Sequence, residues 1–165
     1  DLSLNLSSFD TSKVTNMRNM FYGISNLATL NLSNFNTSKV TDMGYMFAAA
    51  SKLTTLDLSN FNTSKVTNMQ TMFNNMSNLT TLNLSNFNTS NVTNMDWMFA
   101  FNKSEKIYVN NDFNTSKLTS FSNMFKESKK LRGGNGSYLA DPSTADKTWL
   151  RVDRPGVQGY FTRKP

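Results

Sequence analysis

The sequence predicts an α/β solenoid of five 26-residue coils, each a short strand plus a short helix or 3₁₀ turn, followed by a C-terminal capping segment. Three observations predict it. Phe35-Asn36-Thr37-Ser38-Lys39-Val40-Thr41 recurs from Phe9, from Phe61, from Phe87 and, with Leu118 in place of the valine, from Phe113, always 26 residues on. A fixed period of that length marks stacked supersecondary units that cannot fold singly. Upstream of each phrase, leucines alternate with polar residues; downstream of it, methionine and phenylalanine recur at three- and four-residue spacing.

Residues 27–52 are the clearest unit. Leu30 and Leu32 alternate with Thr29, Asn31 and Ser33, which is the period of a strand with leucines inward. Phe35 turns the corner and Asn36-Thr37-Ser38 carries turn chemistry. Val40, Met43, Met46 and Phe47 then fit one buried face of a short helix or 3₁₀ segment, capped by Thr41 or Asp42. Each inward position forms a column through the stack: Phe9, Phe35, Phe61, Phe87 and Phe113 at the corner, and Met20-Phe21 through Met124-Phe125 in the helical pair. Met17, Met43, Met69 and Met95 make a third column, closed by Phe121. Methionine at strict repeat spacing beside phenylalanine reads as core.

The fifth coil is irregular. Ile107 and Val109 carry its alternation, so a one-residue slip and a bulge near Asn110-Asn111-Asp112 are expected, with Tyr108 outward. The repeats fill residues 1–132. Gly133-Gly134-Asn135-Gly136 is a turn-rich break, and 133–165 form the cap, with short strands at Trp149–Val152 and Gly159–Thr162. The chain opens at Asp1-Leu2-Ser3-Leu4, inside what later copies show to be a strand, so a monomeric fragment of a longer protein is expected.

Composition narrows the function. Histidine and cysteine are absent, which removes the usual general base, the usual zinc ligand and any thiolate. No nucleophile has a base beside it, and there is no glycine-rich phosphate loop or carboxylate cluster at metal spacing. No enzyme activity, cofactor or metal is expected. No apolar run reaches the length of a membrane span, so direct membrane insertion is not expected. Net charge is +6, and it is placed unevenly: residues 1–102 carry five basic and five acidic side chains, residues 103–165 twelve and six.

That excess points to an anion-facing surface. Lys103, Lys106, Lys126, Lys129, Lys130 and Arg132, with Tyr108 beside them, form the first candidate site. Lys13, Lys39, Lys65 and Lys117 share one repeat position, broken by Asn91, and form a second candidate, a row of cations matched to a polyanion. Both also fit a solvated surface copied with its repeat. No nucleic-acid motif accompanies the charge, so nucleic acid is not expected. Without histidine, any pH response comes from the eleven carboxylates, so polyanion binding is expected to strengthen from about pH 6 to 4.

The unit L-x-x-L-x-L-x-x-F resembles the leucine-rich repeat, with Phe where Asn or Cys is usual. The fuller phrase L-x-L-S-N-F-N-T-S-K-V-T-N-M-x-x-M-F is similar to the BspA-like surface-protein repeats of Gram-positive bacteria, lactobacillus type. The terminal Gly133-Gly134-Asn135-Gly136, Pro155-Gly156 and Gly159-Tyr160-Phe161-Thr162 resemble the segment that ends them. Gly23, Ala49 and Asn75 stand where many such repeats carry Cys. The resemblance implies a leucine-rich-repeat-like solenoid and a bacterial cell-surface adhesin, secreted or associated with the cell wall, with host glycans or mucins as partners. A host surface protein gripped by the polar strand face of Asn31, Asp57 and Asn83 is the alternative, and a passive stalk is a third. The repeated Asn-Thr-Ser triplets at 36–38, 62–64 and 88–90 would draw glycans at every turn in a eukaryotic secretory pathway, and so fit a bacterial source.

Overall fold

The structure, a computed structural model, describes residues 4–165. Of the opening strand segment expected at residues 1–4, Asp1–Ser3 lie outside the described residues. Residues one repeat apart are neighbours throughout. Parallel bridges link Asn16 to Asp42, Asp42 to Asn68, Asn68 to Asn94 and Asn94 to Ser120. The rings of Phe21, Phe47, Phe73, Phe99 and Phe125 stack within 13° of parallel at successive centroid distances of 5.8, 5.9, 6.0 and 5.2 Å. Met43, Met46, Met69, Met72, Met95, Met98 and Met124 are fully buried beside them. In the first described coil Leu4, Phe9, Met20 and Tyr22 are exposed.

No α-helix is present among the described residues. The expected helical segment is a run of turns. The N–H groups of Met46, Ala48 and Ala50 return to the carbonyls of Met43, Tyr45 and Phe47, as in a 3₁₀ turn. The N–H groups between them leave the coil: Met43, Tyr45, Phe47 and Ala49 donate to Asn68, Gln70, Met72 and Asn74. The cause is backbone handedness. Positive φ recurs at Asn19, Tyr45, Thr71, Trp97 and Asn123, and again at Gly23, Ala49, Asn75, Phe101 and Glu127. A left-handed residue every fourth position interrupts a right-handed helix and turns alternate N–H groups toward the next coil. Backbone satisfaction then depends on stacking, as burial does.

Two side chains of each repeat tie coil to coil. The Thr37 hydroxyl, 1% exposed, donates to the Asn62 carbonyl at 3.0 Å and accepts from the Asn62 N–H at 2.8 Å. Thr11, Thr63 and Thr89 repeat the arrangement on Asn36, Asn88 and Asn114. The Asn60 amide donates to the carbonyls of Leu32 and Phe35 in the preceding coil, and Asn34 and Asn86 do the same one coil earlier and later. A third pattern is local: Asp42 accepts from the Gly44 N–H, capping the turn that follows.

Three short parallel strands form one sheet in the order β1 (Thr81–Asn83), β2 (Lys106–Val109), β3 (Thr162–Arg163). Leu82 pairs with Ile107 and Asn83 with Tyr108, a 25-residue offset, while Phe113 keeps the 26-residue offset from Phe87. The slip is therefore present, and residues 110–112 restore the period. In the cap, Asp146 holds the Thr148 N–H and winds Lys147–Trp149 into a 3₁₀ turn that takes Trp149 from the first expected strand, while Val152 of that strand bridges Phe161 of the second in parallel. The second expected strand contributes only Thr162, with Arg163, beside β2. Buried Tyr160 lies on Phe125 at 4.6 Å, and buried Phe161 on Phe113 at 4.7 Å.

The cap docks where the asparagine column changes chemistry. Asp112 replaces the Asn34–Asn60–Asn86 amide, and a carboxylate accepts where an amide donates. It takes the Val152 N–H at 2.9 Å and the Arg154 guanidinium through both oxygens at 3.0 and 3.1 Å. Within the cap, buried Asp153 accepts from the N–H groups of Asn135 and Ser137. Burial alone would raise the Asp153 carboxyl, but the Ser137 and Asn135 donors outweigh it and hold it below the ordinary range. Burial is outweighed at Asp112 by Arg154 and the Val152 N–H. A carboxylate depressed in the folded state stabilises above the unfolded value of about 4 and loses that contribution as pH falls through its folded value. Thermal melts followed by Trp149 fluorescence are expected to hold steady between pH 8 and 5 and to drop below about pH 4. A melting temperature unchanged down to pH 2.5 would overturn the assignment.

Candidate ligand-binding surface

The basic residues singled out in the sequence divide by what already occupies them. The Lys106 ammonium donates to the Gly133 carbonyl at 3.2 Å and reaches Arg132 O at 3.5 Å. Arg132 holds the carbonyls of Lys129 and Leu131 and lies over the Tyr138 ring at 3.9 Å. Both serve the junction of repeats and cap. Tyr108 is half-buried in β2, with Lys164 over its ring at 5.6 Å. Lys129 pairs with Glu127 at 3.2 Å. Lys103 and Lys130 are exposed and in no salt bridge among the described residues.

Lys103, Lys126, Lys129 and Lys130 lie along one edge of adjacent coils. The Phe101 N–H donates to the Lys126 carbonyl at 2.7 Å, and the Asn102 N–H to Ser128 Oγ at 3.2 Å. Lys103 therefore follows directly on residues that touch the segment carrying Lys126 and Lys129. The Lys126 ammonium sits 5.3 Å over the Trp97 ring, and Trp97 lies parallel to Phe101. Sequence reasoning found no aromatic partner for this basic group apart from Tyr108. The structure supplies Trp97, backed by Phe101, and both occupy repeat positions whose residues vary from copy to copy.

The lysine row is partly retained. Lys13, Lys39 and Lys65 are exposed. Asn91, in the broken position, donates to the Ser64 carbonyl and accepts from the Lys117 ammonium at 2.7 Å, which draws the last cation of the row onto the coil before it. On the strand face, the side-chain oxygens of Asn31, Asp57 and Asn83 accept from the N–H groups of Ser33, Ser59 and Ser85. A groove of about 310 Å³ with mixed polar and leucine lining lies there between Thr29–Ser33 and Asp57, Ser59 and Asn60.

Among the described residues no three His, Cys, Asp or Glu side chains gather as a metal site, and no helix is long and apolar enough to cross a membrane. Six of the eleven carboxylates (Asp10, Asp57, Asp112, Asp141, Asp146 and Asp153) are held below the ordinary carboxylate range. At Asp10, Asp57, Asp141 and Asp146 the first cause is the hydroxyl two residues on, with its N–H adding to it.

A family model described as "Mycoplasma protein of unknown function, DUF285" matches residues 1–107 and again residues 56–147. The matches overlap, as expected when a multi-repeat pattern meets a periodic chain. No curated protein and no solved structure matches the chain.

Proposed function

Because this chain belongs to the DUF285 family, whose function is unknown, we propose its role from its surface: a bacterial cell-surface adhesin module that binds acidic host glycans. In this reading the repeats form a leucine-rich-repeat-like solenoid of the BspA-like, lactobacillus type. The protein stands on the cell wall or is secreted, and its partners are polyanionic glycans or mucins. The observation that carries the reading is the charge asymmetry. Residues 103–165 hold the whole excess of positive charge, and Lys103, Lys126, Lys129 and Lys130 share one edge. Such a patch raises the local concentration of a polyanion and binds it in a salt-dependent way.

Reversing three of these charges, K126E/K129E/K130E, is expected to weaken binding to heparin or mucin roughly a hundredfold, from about 1 kcal/mol for each of three screened contacts. Rising salt is expected to release the ligand. Heparin binding that survives both would remove the electrostatic reading. Acid strengthens binding in this reading, but the six depressed carboxylates hold their charge to lower pH than free ones and supply less of the gain. A second reading rests on the strand-face groove. Its lining of Asn, Ser, Thr and Asp beside Leu30 and Leu32 suits an extended segment of a host surface protein, and capture of such a protein would persist in the triple reversal.

A further inference from the structure

Packing does not account for the residues at two positions of the turn face. Both columns of positive φ favour Gly or Asn, the residues that adopt the left-handed region at least cost. Asn19, Asn123, Gly23 and Asn75 follow that rule. Tyr45, Thr71, Ala49 and Glu127 depart from it, as do Trp97, at φ 59°, and Phe101, at φ 54°, the pair within one coil in which both residues are aromatic. Neither belongs to the hydrophobic core, and Phe101 is 43% exposed. Two large aromatic side chains, Trp97 half-buried and Phe101 exposed, therefore occupy left-handed positions outside the core.

Their arrangement is that of a ledge. The rings are within 10° of parallel with centroids 6.3 Å apart, and the Lys126 ammonium covers the indole at 5.3 Å. The neighbours are hydrogen-bonding rather than apolar. The Thr71 and Asn75 N–H groups donate to the carbonyls of Asp96 and Ala100, which precede the two aromatics, and the Trp97 N–H donates to the Ser122 carbonyl, beside Asn123. Glu127 is paired with Lys129.

We propose that Trp97 and Phe101 form a stacking subsite for one pyranose ring of an acidic glycan. The C–H face of the sugar lies on the indole, its hydroxyls meet Thr71, Asn75 and Asn123, and its carboxylate or sulfate draws Lys126 off the ring. The inference rests on the acidic-glycan reading above and adds to it where on the basic edge a sugar sits. A single-stranded nucleic acid fits less well. It needs aromatic platforms for successive bases, and the adjacent coils carry Thr71 and Asn75 on one side and Asn123 and Glu127 on the other.

The test uses Trp97→Asn and Phe101→Asn in the full 165-residue chain, with a heparin octasaccharide and an octameric oligo-dT as probes in titration calorimetry. Asparagine suits the left-handed backbone, so both variants are expected to melt at or above the wild-type temperature, which separates lost binding from lost fold. Each is expected to bind heparin about tenfold more weakly, as for the loss of one ring-stacking contact. Unchanged heparin affinity in both variants, with affinity lost in K126E/K129E/K130E, overturns the subsite and leaves the glycan reading standing. A wild-type chain that does not bind heparin overturns the glycan reading and the subsite together. Oligo-dT affinity that exceeds heparin affinity and falls in the same two variants overturns the sugar assignment in favour of nucleobases.

Discussion

Gly159→Ala is expected to destabilise the cap by roughly 3 kcal/mol, the upper part of the range for overpacking against atoms that cannot yield. A Cβ at that position would lie 2.1 Å from the Arg151 carbonyl oxygen and 2.8 Å from its carbon. Both are backbone, and Arg151 is itself tied down because its carbonyl accepts the Phe161 N–H. Gly133 faces the same crossing from the other side, where an added Cβ would meet the Gly159 carbonyl oxygen at 2.2 Å. Three strands of chain thus cross where no side chain fits. Loosening them withdraws Tyr160 and Phe161 from Phe125 and Phe113. Trp149, 4.7 Å from Tyr160, reports the change in fluorescence-detected melts. Gly134→Ala is the control, because its nearest atoms lie at 3.4 Å, an ordinary contact. Equal melting temperatures for the two variants would show that the crossing is not tight.

Phe73→Ala is expected to lose about 3–5 kcal/mol, the usual cost of emptying a buried aromatic site. Its ring is fully buried, 5.9 Å from Phe47, 6.0 Å from Phe99 and 6.3 Å from Phe87. The position in the stack matters as much as the cavity. A coil in the middle supports two interfaces, so weakening it uncouples the repeats on both sides. Phe21→Ala provides the comparison, since Phe21 stacks on Phe47 alone in its column, at 5.8 Å. Urea titrations are expected to show a larger fall in midpoint for Phe73→Ala, with a broadened or divided transition. Equal losses in the two variants would mean that the stack does not transmit stability from coil to coil.

Legibility in the sequence followed the range of the interaction. The 26-residue period, the buried methionines and phenylalanines and the slip in the fifth coil were all readable, because each is a statement about which residues are apolar and how often. The turn segment reads as a short helix or 3₁₀ segment because Val40, Met43, Met46 and Phe47 have helical spacing, while the left-handed residues that divide it into separate turns, such as Tyr45 and Ala49, carry no compositional mark of that conformation. Asp112 was read as part of a bulge. Its change from the asparagine of earlier copies also exchanges a donor for an acceptor, which is how the cap is recognised. The candidate site was legible as charge and illegible as contact. Lys106 and Arg132 look like Lys103 and Lys130 in the sequence, yet both donate to backbone carbonyls near the junction of repeats and cap.

By itself, then, the sequence determined the period, the inward columns and the placement of positive charge. Tertiary structure alone decided which polar groups remain available. Thr37, one residue of the repeated phrase, looks like part of a surface turn, but its hydroxyl is buried between coils and holds both the N–H and the carbonyl of Asn62. Trp97 and Lys126 are 29 residues apart and meet only because one coil rests on another. The reason is physical. Burial of an apolar side chain follows a pattern within one coil, whereas the partner of a hydrogen bond or a charge is supplied by the neighbouring coil, whose register is fixed only when the coils stack.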